Sequence, residues 1–523
     1  MIKRSLLFFL FLSLLVPAVH SGQPEVKVPQ LKKALWQRPL LLDKDFEVAD
    51  DEKVAKSWID KGLEIVSDEP ILPGFVPVVA DKQKLVYRNP QGVRAVSLIA
   101  GTDDKEKRHF KAGDVHWMSV PMDGSLARIL NHPDLRPTME NWLNLYFSRP
   151  TTRDILFENY LTGTLATSCG QVYVVDDLAI PRPGNVFPWM WQNLPARAKE
   201  YVRANSLQSF DLSSGKFKWR LGDDLGNDRR KEDEFTQSHF LGVPLPLGEA
   251  IYALNEKSDS DKGESEIRLV RLDPNKLTPE HRPVVVPPIL SLGKVSEHLR
   301  ITHNLARRIS SVELVQTDKV LVCPTHAGKV FGVNLEKMTI RWTYTYKEDK
   351  NKPAAENLPP FFQFNREWRI PGIFLHQERL VFAAPDEGSV HCIRVKDGKL
   401  LWKAPRKDGL YVSALFGDKV LVVGNNNCWA LALEDGKEMW TIETGFPSGK
   451  GASQGNFYYL PLRKSASSGK RGISLIDIAK GKILQTVGAA DGKLPGNLLI
   501  HHDMLISQSA THIAAYPLRA GKK

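Results

Sequence analysis

The chain is poor in cysteine, with Cys169, Cys323, Cys392 and Cys428 as its four in 523 residues. No two stand at a Cys-x-x-Cys spacing, which removes zinc ribbons, thioredoxin-type sites and Cys-x-x-Cys-His haem attachment. All four fall in strand-like text, where a cysteine is most often a small buried hydrophobe. Their spacing fixes no pairing. The sequence also has no G-x-S-x-G, H-E-x-x-H or P-loop, so hydrolase and nucleotide chemistry lack their usual residues. No dense Lys/Arg stripe with interleaved aromatics is present, and nucleic acid is not an expected partner. Beyond the N-terminus no apolar run is long enough to cross a bilayer.

The N-terminus itself reads as a targeting segment. Lys3 and Arg4 precede the apolar stretch Ser5–Val16, and Val19-His20-Ser21 offers a small residue for cleavage. Residues 1–21 are therefore expected to be a signal peptide, with an uncleaved anchor as the alternative. No cysteine follows that would carry a lipid. Loss of Lys3 and Arg4 takes the net charge from +11 to +9, modest for this length. The expectation is a monomer, soluble after cleavage, in the periplasm or outside the cell.

Text repeats in the second half. Cys392-Ile-Arg-Val-Lys-Asp-Gly398-Lys-Leu-Leu-Trp402 is followed by Ala430-Leu-Ala-Leu-Glu-Asp-Gly436-Lys-Glu-Met-Trp440, a period of 38 residues. Each copy is an alternating strand, a turn on Gly, a second strand and a Trp. All-strand units of this period predict the blades of a propeller. A further copy occurs at Ser209–Trp219, with Asp211 and Gly215, and an imperfect one at Val330–Trp342, where Met338 replaces Gly. Another is Leu475–Gln485, with Asp477 and Gly481, where Gln485 replaces Trp. Gly at the turn can take a positive φ, Asp can bond its own turn amides, and the Trp can fill the space between blades.

Taken in order, 22–72 reads as a helical segment, with Lys32–Leu42 and Glu52–Val66 at helical spacing. An eight-bladed array follows over 73–518, with insertions at 124–160 and 178–206 and a basic tail at 519–523. In the first blade Trp117 is expected to take the place of the displaced repeat Trp. The eighth blade lacks a fourth strand, and Phe75–Ala80 is expected to supply it and close the ring. Asp176-Asp177 and Asp223-Asp224 read as turn acids. Glu256–Glu266 and Asn227–Glu234 read as solvated loops. His501-His502-Asp503 reads as a turn whose histidines point to opposite faces and cannot share a metal.

The pattern Ala-x-Asp-x-x-Thr-Gly-x-x-x-Trp, most complete at Ser209–Trp219, Cys392–Trp402, Ala430–Trp440 and Leu475–Gln485, resembles the PQQ-like β-propeller repeat, a WD40-like unit. The chain is similar to secreted planctomycete propellers with large blade insertions. The resemblance implies an all-β, eight-bladed fold of the quinoprotein-dehydrogenase type, with helical insertions. Dehydrogenases of this fold add adjacent cysteines, calcium ligands and a catalytic Asp around the quinone. None of these stands out here, so no PQQ, calcium, metal or catalytic residue is expected. The outer-membrane assembly lipoprotein BamB is similar in fold and offers a precedent for protein binding.

Two aromatic loops break the repeat frame: Phe187, Trp189 and Trp191 in one, and Phe361, Phe362 and Trp368 in the other. They are the candidate platforms for a ligand or partner. Gly215, Trp219, Trp342, Gly398, Trp402, Gly436, Trp440 and Gly481 are read as structural. The function expected is a non-enzymatic binding scaffold for protein or envelope components. A PQQ-dependent dehydrogenase and an envelope-polysaccharide binder are the alternatives.

Overall fold

The computed structural model describes residues 26–40, 72–119, 158–177, 203–222, 234–348 and 370–520, apart from 82, 90–91, 104–107, 260–263, 318, 386 and 490–492. These form eight antiparallel sheets of the propeller type and, between the third and fourth strands of blade 1, a two-stranded sheet of Gly101–Asp103 and Arg108–Phe110. Blade 5 shows the plain unit: Gly372–His376, Arg379–Ala383, Ser389–Arg394 and Leu400–Pro405, each strand paired with the next. Blades 2, 4 and 6 repeat it. Short runs of Val, Leu, Ile and Phe make the inner strands, which are buried on both faces.

Blade 3 is enlarged. Its central strands, Ala250–Asp259 and Glu264–Leu277, are ten and fourteen residues long, and a split strand flanks them on either side. The Glu256–Glu266 stretch is therefore a β-hairpin rather than a solvated loop. Glu256 is buried within it, because Lys257, Ser258 and Asp259 stay in register with Glu266, Ser265 and Glu264.

The ring closes through the N-terminus, with a different segment from the one expected. Lys27–Pro29 and Trp36–Pro39 pair with His512–Ala520 as the fourth strand of blade 8. Val78–Ala80 is instead the innermost strand of blade 1. Lys32–Leu42 thus does not form the expected helix. The open edge of blade 8 offers a full ladder, and that pairing outweighs a weak helical pattern. Pro39 at the strand's end suits an edge position, where no donor is required. Glu52–Val66 lies outside the described residues.

The blades are joined by a recurrent dock. In blade 5 the small Cys392 faces Trp402, and the Trp402 indole N–H donates to the Leu433 carbonyl of blade 6 at 2.8 Å. The ring covers Gly436, whose φ is +74° and whose absent Cβ would lie 2.6 Å from Trp402 Cε3. The same contact joins Trp342 to Val395 and Gly398, and Trp440 to Ile478 and Gly481. Trp117 docks likewise on Leu212 and Gly215, opposite Ala95 of its own blade.

The closing strand carries a dock of its own. Trp36 faces Ala515 within blade 8 and covers Gly113 of blade 1, with φ +85° at that glycine. Its indole nitrogen is buried without a hydrogen-bond partner, and Arg38 Nε donates to the Gly113 carbonyl beside it at 2.8 Å. Where blade 3 has no Trp, the facing turn of blade 4 has no Gly. Met338 takes a positive φ of 48° and packs into the core beside blade 3. Trp219 meets a blade-3 turn without Gly, and its N–H bonds Gln171 Oε1 of its own blade at 3.2 Å.

Candidate functional site at the insertion face

The strand order fixes what each end of the ring carries. In a four-stranded meander, the turns after the first and third strands lie at one end. The link between second and third strands lies at the other, with the passage to the next blade. The first end is made mostly of tight turns, with one longer link in blade 1, 98–114, that carries the paired strands Gly101–Asp103 and Arg108–Phe110. Asp211 there accepts the Ser213 and Ser214 amides at 3.1 and 2.9 Å, and both hydroxyls as well. Burial opposes ionisation, but those hydrogen bonds hold its carboxyl down at about 2. The second end carries the connections 41–71, 120–157, 178–202, 223–233 and 349–369. We call it the insertion face.

Under that face lies a belt of buried charge and amide. Arg88, near the end of its strand in blade 1, donates to Asp176 Oδ1 of blade 2 at 2.8 Å and to the Val175 carbonyl. Gln508 of blade 8 donates to the Arg88 carbonyl at 3.0 Å, and Gln208 to Asp176 at 3.3 Å. Asn205 exchanges two bonds with the backbone of Phe240, tying blade 2 to blade 3. Asn497 of blade 8 holds the Pro73 and Phe75 carbonyls that lead into blade 1.

A one-turn helix, Leu305–Ile309, sits just before blade 4 and presents two consecutive arginines. Asn304 caps it by accepting the Arg307 amide. Arg308 grips both oxygens of Asp177 in blade 2, at 2.6 and 2.9 Å. Arg307 pairs with Glu256 of blade 3 and also donates to the carbonyls of Leu299 and Thr325. Glu256 accepts two further bonds at 3.0 Å, from the Ile301 amide and the Ser265 hydroxyl. Both ion pairs are nearly inaccessible to solvent, with side-chain exposures of 2% or less. Asp176 and Asp177 are therefore core ion-pair residues rather than turn acids. Their arginine partners come from 88 residues before and 131 after, so adjacency in sequence gave no sign of them.

The axis of the ring is filled by the chain's own backbone. Leu72, Tyr160 and Ile370 lie close before the inner strands of blades 1, 2 and 5, yet they pack with Leu410, Tyr411, Tyr458 and Leu460 of blades 6 and 7. The short helix Tyr160–Gly163 fits because Gly74 and Gly163 let two backbones touch where a Cβ would collide. Glu158 accepts the Leu72 amide, and the Tyr160 hydroxyl donates to the Leu72 carbonyl, each at 3.0 Å.

Between blades 4 and 5 a crevice of ≈ 10 Å³ is lined by Ser311, Glu313, His326, Tyr346 and Phe382, among others. That is room for about one water. Burial, then the Arg307 charge, pushes His326 down to about 3, so it is neutral, with Nδ1 3.1 Å from the Ser310 hydroxyl.

The aromatic candidates Phe187, Trp189, Trp191, Phe361, Phe362 and Trp368 lie outside the described residues, as does Asp223-Asp224. Their connections start and end at the insertion face, 178–202 within blade 2 and 349–369 between blades 4 and 5. Three cysteines are buried in strands. Cys169 is instead exposed in a turn at φ +49°. Burial raises the Cys392 thiol to about 11 and the Cys323 and Cys428 thiols further. His501-His502-Asp503 does turn between two strands. Its rings, however, touch at 4.2 Å instead of pointing apart, because His502 has a positive φ of 50°. Among the described residues no group of three His, Cys, Asp or Glu is placed to hold a metal, and no helix is long and apolar enough to cross a membrane.

Residues 365–482 match the family described as "Outer membrane protein assembly factor BamB". The match spans blades 5 and 6 and most of blade 7. Among solved structures, BamB from Moraxella catarrhalis is 9% identical at a TM-score of 0.45, covering 86% of this chain and 97% of its own. A europium-containing methanol dehydrogenase is 10% identical at 0.45, covering 84% and 90%. The computationally designed Ika8 protein is 9% identical at 0.43, covering 86% and 99%. No curated protein matches the sequence. The chain is an eight-bladed β-propeller of PQQ-like repeats.

Proposed function

We propose that this protein is a non-enzymatic binding scaffold outside the cytoplasm that engages a protein or envelope component through its insertion face. One observation carries the reading: the connections 41–71, 120–157, 178–202, 223–233 and 349–369 leave from one end of the ring, over a centre packed with the chain's own backbone, with 98–114 at the other end. Rigid strands that hold variable loops suit recognition. The match of blades 5 to 7 to an outer-membrane assembly factor family supports a protein partner. The Lys3-Arg4 leader with its apolar stretch supports export.

A pull-down from native envelope extract tests it. The wild type is compared with a variant in which 178–202 is replaced by a short turn. Specific capture by the wild type and its loss in the variant is the expected result. Dye-linked alcohol or sugar oxidation by the purified protein supplied with quinone and calcium would sink the scaffold reading.

A further inference from the structure

Apart from Glu158, which accepts the Leu72 amide, three carboxylates are buried near the insertion face, Asp176, Asp177 and Glu256, and they are the chemistry from which a hard-cation site could be built. A quinone of the PQQ class brings carboxylates of its own and is held with such a cation. Here every one of these side chains already has a guanidinium. Asp177 gives both oxygens to Arg308. Glu256 gives one oxygen to Arg307 and the other to Ile301 and Ser265. Asp176 gives one oxygen to Arg88 and the other to Gln208.

We infer that Arg88, Arg307 and Arg308 are the resident cations of this face, which therefore takes neither a calcium or lanthanide ion nor a metal-held quinone. Three features support this. A guanidinium in a two-oxygen grip leaves its carboxylate few lone pairs for a metal, which needs six to eight oxygens when it is Ca²⁺. The arginines come from two places in the chain, one in blade 1 and two side by side on the capped Leu305–Ile309 turn. That turn aims one arginine at blade 2 and one at blade 3, so the fixed charge also joins blades. Finally, Glu158–Tyr160 and Leu72 occupy the axis, where a flat cofactor would have to lie.

The inference stands apart from the scaffold reading: a cation could bind without any catalysis. The test uses the full-length protein. Terbium is titrated while its Trp-sensitised luminescence is read, and Tm is measured with and without calcium. The wild type should show no saturable luminescence and no calcium-dependent rise in Tm. Arg308→Ala, which frees the Asp177 carboxylate, should be less stable and gain a calcium-dependent rise in Tm. The neutral pair Asp177→Asn/Arg308→Ala should not respond to calcium. Should Arg308→Ala fail to fold, the wild-type titration decides. Saturable terbium luminescence in the wild type that is lost in Asp177→Asn or Glu256→Gln overturns the inference. So does a quinone absorbance that co-elutes with the wild-type protein.

Discussion

At the turn end of the ring, blades 5, 6 and 7 spend four or five residues between their third and fourth strands, and the sequence nearly repeats itself. At the opposite end the connections reach the lengths of 120–157 and 178–202, and no two are alike. The turn end is stabilised by one contact used again and again, an indole laid over a glycine of the next blade. The insertion end relies on individual long-range pairs, such as Arg308 with Asp177, each made once. Repetition at one end fixes the ring and leaves the other free to specialise.

The largest expected effect is on the seam between the ends of the chain. Removing residues 26–40 takes Val28, Leu31, Trp36 and Leu40 out of the core. At about 1.5–3 kcal/mol per side chain, the upper bound on the loss is roughly 6–12 kcal/mol. The exposed edge of blade 8 should also make the variant associate with rising concentration, measurable by light scattering.

Next come the two kinds of joint. Arg308→Met leaves Asp177 buried without its counter-ion and should cost about 3–5 kcal/mol in urea unfolding. At the turn end, Gly398→Ala meets both a positive φ and the Trp342 ring at 2.6 Å. Gly248 has a similar φ of +62° with nothing within 4 Å of a Cβ. Gly248→Ala should cost about 1 kcal/mol from backbone strain alone, and Gly398→Ala about 2–4 kcal/mol. Equal losses at the two glycines would show that the dock contributes nothing.

Much of the turn end was legible because its physics is local. Gly398, Gly436 and their tryptophans stand a few residues apart, and an alternating strand on either side fixes their relation. Blade 4 was harder to read, since Met338 in place of Gly makes sense only beside a blade 3 that lacks its Trp. The insertion end was largely illegible. Nothing near Asp177 in the sequence points to Arg308, and a pair of acids closing a strand looks like a turn until its partners are seen. The closing strand fell between the two. The missing fourth strand of blade 8 was evident, but Trp36-Gln-Arg-Pro39 looked helical, since its pairing partner lies at the far end of the chain.

A smaller effect concerns acid. His326 is held neutral, with its pKa at about 3 against an ordinary 6.5, by burial and then by Arg307. His391 and His512 are each held at about 4. Burial is the main cause in both. Lys403 adds to it at His391 against the opposing Glu387, and Lys493 adds to it at His512. A histidine depressed in the folded state leaves the unfolded chain to bind the proton first. Stability should therefore be full above about pH 6.5 and fall as the pH drops toward about 4. His391→Phe, which keeps the stack on Phe382, should flatten that slope. The smallest expected effect on stability is that of replacing 178–202 with a short turn, within about 1 kcal/mol, because the strands it joins keep their register.

The division of labour between the two ends is most directly tested by lysine cross-linking of the protein to its captured partner, read by mass spectrometry. Exposed lysines mark each end: Lys347 and Lys493 by the insertions, and Lys216, Lys276, Lys337, Lys399 and Lys437 on the turns. Cross-links are expected at the first two and none above background at the other five. Partner cross-links concentrated on Lys216, Lys399 and Lys437 would contradict it.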